Sequence, residues 1–172
     1  MNNNTILVKA ALLLAVALVS QSLRLILPLP PFILMFVIGT CLNATLLMSV
    51  YETNLKFAAV IAIVTPIVAF MQGQLFFAPF IPVVAAGNLT YILIVELIKK
   101  QKHFIIAIFA PLGKTTVLFA GLTLVFSMFA LPENIVIAMT FALGWPQIIT
   151  GACGTMIGFL LISRIGTNKF NY

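Results

Sequence analysis

The sequence predicts an all-α integral membrane protein with six transmembrane helices in one bundle. Three observations carry that prediction. The 172 residues are 63% hydrophobic and only 7% charged, whereas a soluble domain carries about 25% charged residues. The apolar residues gather into six runs near the roughly 20-residue length that spans a bilayer. Lysine and arginine cluster at alternate ends of those runs, as the orientation rule for membrane proteins requires. No polar stretch is long enough for a second domain, so residues 1–172 are read as one membrane unit.

The first run extends from Thr5 to Leu27, with Lys9 near its start and Arg24 near its end. It has the charge and apolar core of a signal peptide, but it is long enough to span. No small-x-small cleavage site precedes a soluble domain, so a span is expected. The second runs from Pro31 to Val50 and carries Asn43. The third, Leu55 to Met71, is short and contains Pro66. The fourth, Pro82 to Ile98, carries Asn88. The fifth, Phe104 to Ala130, carries Lys114. The sixth, Ile135 to Ile165, is long and interrupted by Gly144, Trp145 and Pro146, where the proline is expected to kink or restart the helix.

Lys9, Lys56, the Lys99–Lys100–Lys102 cluster, Arg164 and Lys169 all fall on one side of this arrangement. The opposite connections, Pro28–Pro30, Gln72–Ile81 and Leu131–Asn134, hold no lysine or arginine. Both termini are therefore expected in the cytoplasm, with the protein in the cell membrane. The net charge of +6 is explained by that topology and gives no reason to expect nucleic-acid binding. Gln72–Ile81 reads QGQLFFAPFI, too apolar for a solvated loop. Two readings fit it: a lid folded over the bundle mouth, or an interfacial aromatic anchor.

Enzymatic chemistry is not expected. The chain has no aspartate, and Glu52, Glu96 and Glu133 are scattered. With one histidine, His103, no paired carboxylates, metal cluster or Ser-His-Asp set assembles. Lys114 and Ser127 are not one or two helical turns apart, which weakens a Ser-Lys pairing. Gly113-Lys114-Thr115 mimics the end of a phosphate-binding loop, but Ile108 stands where its first glycine belongs. Cys41 and Cys153 lack CxxC partners and read as packing residues. No cofactor or metal is implied.

Lys114 is the most informative residue. An ammonium near the bilayer centre costs roughly 2.5–3.5 kcal/mol and normally faces a protein interior or a watery cavity. The competing role is a pairing with Glu96 or a carbonyl. Asn88 sits at a similar depth, Asn43 beyond the midpoint of its span, and Arg24, Gln72, Gln74 and Gln147 lie toward the non-basic end. Together they outline a polar pocket open to the outside. Each also has a plainer role: Arg24 snorkelling to headgroups, Asn43 and Asn88 as interhelical glue, Gln147 capping a broken helix. Ala11 and Ala15 make a small-x-x-x-small step on the first span, suited to close approach by another helix.

Six spans, cytoplasmic termini, the Ala11-x-x-x-Ala15 step and no energy-coupling motif make the chain resemble the substrate-binding S component of an energy-coupling factor (ECF) transporter. Ser22-Leu23-Arg24-Leu25, Gly39 to Asn43, Pro82 to Asn88 and Trp145-Pro146-Gln147 add to the resemblance. It implies capture of a vitamin or related micronutrient from outside, and docking on a membrane coupling subunit that carries two ATPases. It also implies that Ala11 and Ala15 form the docking surface, and that Gln72, Gln74, Asn88, Lys114 and Gln147 contribute to the site. No signature of one vitamin is present. Because Lys114 and Arg24 are the cations placed to meet a ligand from outside, the ligand is expected to be anionic or carboxylate-bearing, with amide hydrogen bonds from Asn88 and Gln147. The alternative is a membrane structural or assembly protein with no small ligand.

Overall fold

The computed structural model describes residues 2–165, all of their regular structure helical. Lys169, assigned above to the basic side, lies outside the described residues. Seven helices form six apolar segments: α1 (Asn3–Ile26), α2 (Pro31–Glu52), α3 (Leu55–Met71), α4 (Phe80–Leu97), α5 (His103–Met128), and the pair α6 (Glu133–Leu143) and α7 (Pro146–Arg164). Five segments are long and apolar enough to cross a membrane, with α6 and α7 counted together. At 17 residues, α3 rises about 26 Å, a little less than the roughly 30 Å hydrocarbon core.

The helix ends follow from local chemistry. α1 stops before the Pro28–Pro31 segment, and Pro31 opens α2 at its first turn, where a missing N–H costs nothing. The Asn54 side chain caps α3 by accepting from the Phe57 amide at 3.1 Å. At its other end α3 closes through Gly73, whose φ of +70° suits glycine alone at low cost. The Gly73 amide donates to the Phe70 carbonyl (3.0 Å) and the Gln74 amide to that of Ala69 (2.8 Å). That reciprocal pair is the Schellman closure. The expected sixth span is two helices, with Gly144 ending α6 and Pro146 restarting as α7. α4 begins at Phe80, two residues before the expected Pro82, because a proline is tolerated in the first turn.

Glycines set how closely the helices pack. A Cβ on Gly154 would lie 2.6 Å from the Thr40 carbonyl oxygen, and one on Gly158 2.7 Å from a Leu47 methyl. This Gly-x-x-x-Gly step seats α7 directly on α2. On its neighbouring face, Gly151 meets Pro111 of α5, where a Cβ would come within 2.6 Å.

The charged ends gather as expected. Lys9 pairs with Glu52, the Tyr51 hydroxyl donates to the Lys99 carbonyl (3.0 Å), and His103 stacks on Phe159 with ring centroids 3.9 Å apart. These contacts bring the α1 start, the α2 end, the α4–α5 connection and the C-terminal half of α7 to one basic end. A tight core fills that half around Leu47, Ile61, Ile92 and Ile162. A second apolar cluster, with Leu75, Phe80, Leu118 and Leu143, packs the opposite half. The outer surface is also apolar: Leu12, Val19, Phe119, Leu124 and Leu160 are all more than 60% exposed, as expected where lipid replaces water.

Candidate functional site

Between the two clusters, in the half away from the basic end, lies a cavity of about 140 Å³. Its polar lining comprises Gln21 and Arg24 of α1, Thr65 of α3, Gln74 of the α3–α4 connection, Asn88 of α4, Lys114 of α5 and Gln147 of α7. Ile38, Leu42, Met139 and Leu143 supply part of the apolar wall. The structure thus brings five of the residues singled out in the sequence, Arg24, Gln74, Asn88, Lys114 and Gln147, around one space. Gln72 is not on the lining. Its amide donates to the Ser22 hydroxyl (2.9 Å) and its carbonyl oxygen accepts from Gln74 (2.9 Å). Because Gln74 also donates to the Gln21 backbone carbonyl at 3.0 Å, the whole turn is laced to α1. In the rest of this connection Leu75 is buried and Phe77 packs against Phe80 and Phe129, while Phe76 and Ala78 are exposed.

Lys114 stands 11 residues into α5, about 17 Å along its axis and near mid-depth of the bundle. It is 5% exposed, and its Nζ donates to the Asn43 side-chain oxygen at 2.8 Å. The Asn43 amide nitrogen donates to the Gly39 carbonyl (2.8 Å), which holds its oxygen toward the lysine. The Tyr91 ring lies 5.9 Å from Nζ, a reach at which its face attracts a cation. Tyr91 is fixed in turn by hydrogen bonds with the Asn43 carbonyl (3.3 Å) and the Thr155 hydroxyl (2.7 Å). Among the described residues Lys114 makes no ion pair; Glu96 is engaged with Lys99 instead. The cavity lining contains two cations and no acid.

Asn88 owes its position to a proline. Pro66 has no N–H, so the Ala62 carbonyl one turn earlier has no helical donor. The Asn88 amide nitrogen fills that gap at 3.3 Å and reaches the Thr65 hydroxyl at 3.4 Å. Gln147 does the same for the break between α6 and α7, donating to the Ala142 carbonyl at 2.9 Å. The amide N–H groups expected to meet an anion are therefore turned onto the backbone. Gln21, which sequence reasoning overlooked, follows this pattern. It is 1% exposed and donates to the Thr65 carbonyl at 2.9 Å, and its side-chain oxygen has no hydrogen-bond partner. The signal that could have found it is spacing: a glutamine three residues before Arg24 shares that residue's helix face.

Gly113-Lys114-Thr115 lies mid-helix, so its amides are committed to α5 and make no phosphate-binding loop. Ser127, 13 residues from Lys114, is about 20 Å away along the axis and donates to the Leu124 carbonyl. No group of three metal-ligating side chains comes together among the described residues. Cys41 and Cys153 are free thiols. Ala11 and Ala15 are exposed on the outer side of α1, away from the cavity.

No family model matches the chain, and neither a curated protein nor a solved structure matches it.

Proposed function

We propose that this protein is the substrate-binding subunit of an ECF-type importer, capturing a small anionic micronutrient from outside the cell. One observation carries the reading. Lys114 is a buried cation at a cavity whose lining holds no acid, and its Nζ donates to the neutral amide of Asn43. A charge held this way in an apolar bundle is costly. A carboxylate entering the cavity would supply both the missing countercharge and acceptors for the remaining ammonium N–H groups. Arg24, in the last turn of α1, lines the same cavity, where it would draw an anion inward.

In this reading the basic end faces the cytoplasm and the cavity serves the outside. The chain supplies capture alone. A membrane coupling subunit with two ATPases supplies the energy, and the exposed Ala11–Ala15 side of α1 is the surface on which that subunit packs. The test is mass spectrometry of the purified protein. A stoichiometric small acid released on denaturation is expected, and its uptake by vesicles should require the coupling module and ATP.

A second reading has one observation in its favour. The chain Lys114–Asn43–Tyr91–Thr155 joins α5, α2, α4 and α7, as a purely structural network in an assembly protein would. Under it the purified protein carries no ligand, and no small acid changes its melting temperature.

A further inference from the structure

We infer that Asn43 sets the charge preference of the cavity: it holds Lys114 from behind with a neutral amide, and that neutrality leaves the ammonium free for an anionic ligand. This rests on the anion-binding reading above and adds to it a positioning residue that no ligand touches.

The inference starts from the back of the site. Asn43 is 0% exposed and does not line the cavity, whereas Lys114 does. The Asn43 side-chain oxygen accepts from the Lys114 Nζ at 2.8 Å, and its amide nitrogen donates to the Gly39 carbonyl at 2.8 Å. A carbonyl can only accept, so the second contact fixes which end of the amide faces the lysine. The backbone there is held as well. The Tyr91 hydroxyl reaches the Asn43 carbonyl at 3.3 Å, and Gly154 of α7 packs so closely that a Cβ on it would stand 2.7 Å from the Asn43 Cβ.

Next comes the charge left over. An ammonium has three donors. One goes to Asn43, and the other two meet no acceptor among the described residues. None of the three acidic side chains of the chain is placed to compensate it. Glu52 pairs with Lys9 and Glu96 with Lys99, both at the basic end, and Glu133 is exposed at the start of α6. The oxygen against Nζ therefore belongs to an uncharged group. Aspartate has nearly the same shape as asparagine. At position 43 it would set a full carboxylate on the lysine, and an incoming acid would meet a neutral pair. Asparagine orders the lysine and leaves its charge uncompensated.

The test reads a ratio of affinities, which a general loss of structure does not change in a set direction. Benzoate and benzamide are matched in shape and differ in charge. Their binding to the intact protein in lipid nanodiscs is measured by ligand-detected NMR. Hydrogen bonds to charged groups are the stronger ones, so the wild-type protein should bind benzoate at least about tenfold tighter than benzamide. In Asn43→Asp that preference should vanish. In Asn43→Leu, which removes the hydrogen bond and adds no charge, both probes should bind more weakly and the preference should persist. A preference for benzoate that survives in Asn43→Asp overturns the inference and leaves the anion reading intact. Loss of the preference in Asn43→Leu also overturns it, because the amide would then act through structure rather than through its lack of charge. A wild-type protein that binds neither probe, or both equally, contradicts the anion reading itself. If Asn43→Asp does not fold, the Asn43→Leu comparison still decides.

Discussion

At the scale of single residues, this protein places its polar side chains where the backbone has been broken. Pro66 exposes the Ala62 carbonyl, and Asn88 covers it. Replacing Asn88 by Leu should therefore destabilise the fold by about 1–3 kcal/mol, the cost of an unsatisfied buried acceptor. In a Pro66→Ala background the helix regains its own N–H at that point, so the same replacement should cost at least about 1 kcal/mol less. Melting in detergent of the two single variants and the double variant measures this coupling. Additivity of the two changes would mean that Asn88 does not serve the proline. Much of the residue scale was legible in the sequence. Lys114, Asn88, Arg24 and Gln147 stand out because a polar side chain in an apolar run needs a reason. The direction of each amide was not legible. It depends on which carbonyl of another helix lies opposite, as Thr65 does for Gln21, and no spacing along one helix reveals that.

At the scale of elements, the bundle depends on close helix contacts rather than on apolar burial, because lipid is as apolar as the core. Gly154 is the tighter of the two glycines of this step against α2: a Cβ there would stand within 2.9 Å of atoms of Thr40, Asn43 and Ala44. Gly154→Leu should push the helices apart, displace Asn43 from Lys114 and lower stability by about 1–3 kcal/mol or more. By contrast Cys153→Ala, one position earlier at an exposed site, should change the melting temperature little. A Gly154→Leu protein that melts like wild type would show that this contact does not hold the site. The helices themselves were legible because each is an apolar run between prolines or charges. The Gly-x-x-x-Gly step was present in the sequence too, but small residues are frequent in apolar helices, and only the partner face on α2 distinguishes a contact from composition. The α3–α4 connection was legible as apolar, but which of its aromatics turns inward was not: Phe77 packs on Phe80 and Phe129, while Phe76 is exposed. The α6–α7 break was legible from Gly144 and Pro146.

At the scale of the whole molecule, the basic end and the cavity end are opposite, and the proposed transport direction follows from that polarity. Single cysteines at Lys99, Lys100 or Lys102, in a background lacking Cys41 and Cys153, should resist an impermeant thiol reagent applied to intact cells. Labelling there, with the Gln72–Ile81 connection protected, would invert the orientation. Replacing Ala11 or Ala15 by Leu should reduce uptake while leaving ligand binding by the isolated subunit unchanged, since both alanines are exposed and remote from the cavity. Loss of binding with an intact complex would instead make them packing residues.

The central claim is that Lys114 holds an anion in this cavity, and Lys114→Met tests it most directly. Methionine is close in size, keeps the apolar stem and removes the charge. A charge-assisted hydrogen bond contributes roughly 1.5–3 kcal/mol, so calorimetry with the acid that co-purifies should show binding weakened by about ten- to a hundredfold, while the variant runs as a folded monodisperse protein. Undiminished binding by that variant, or a bound molecule that proves neutral or cationic, would contradict the account.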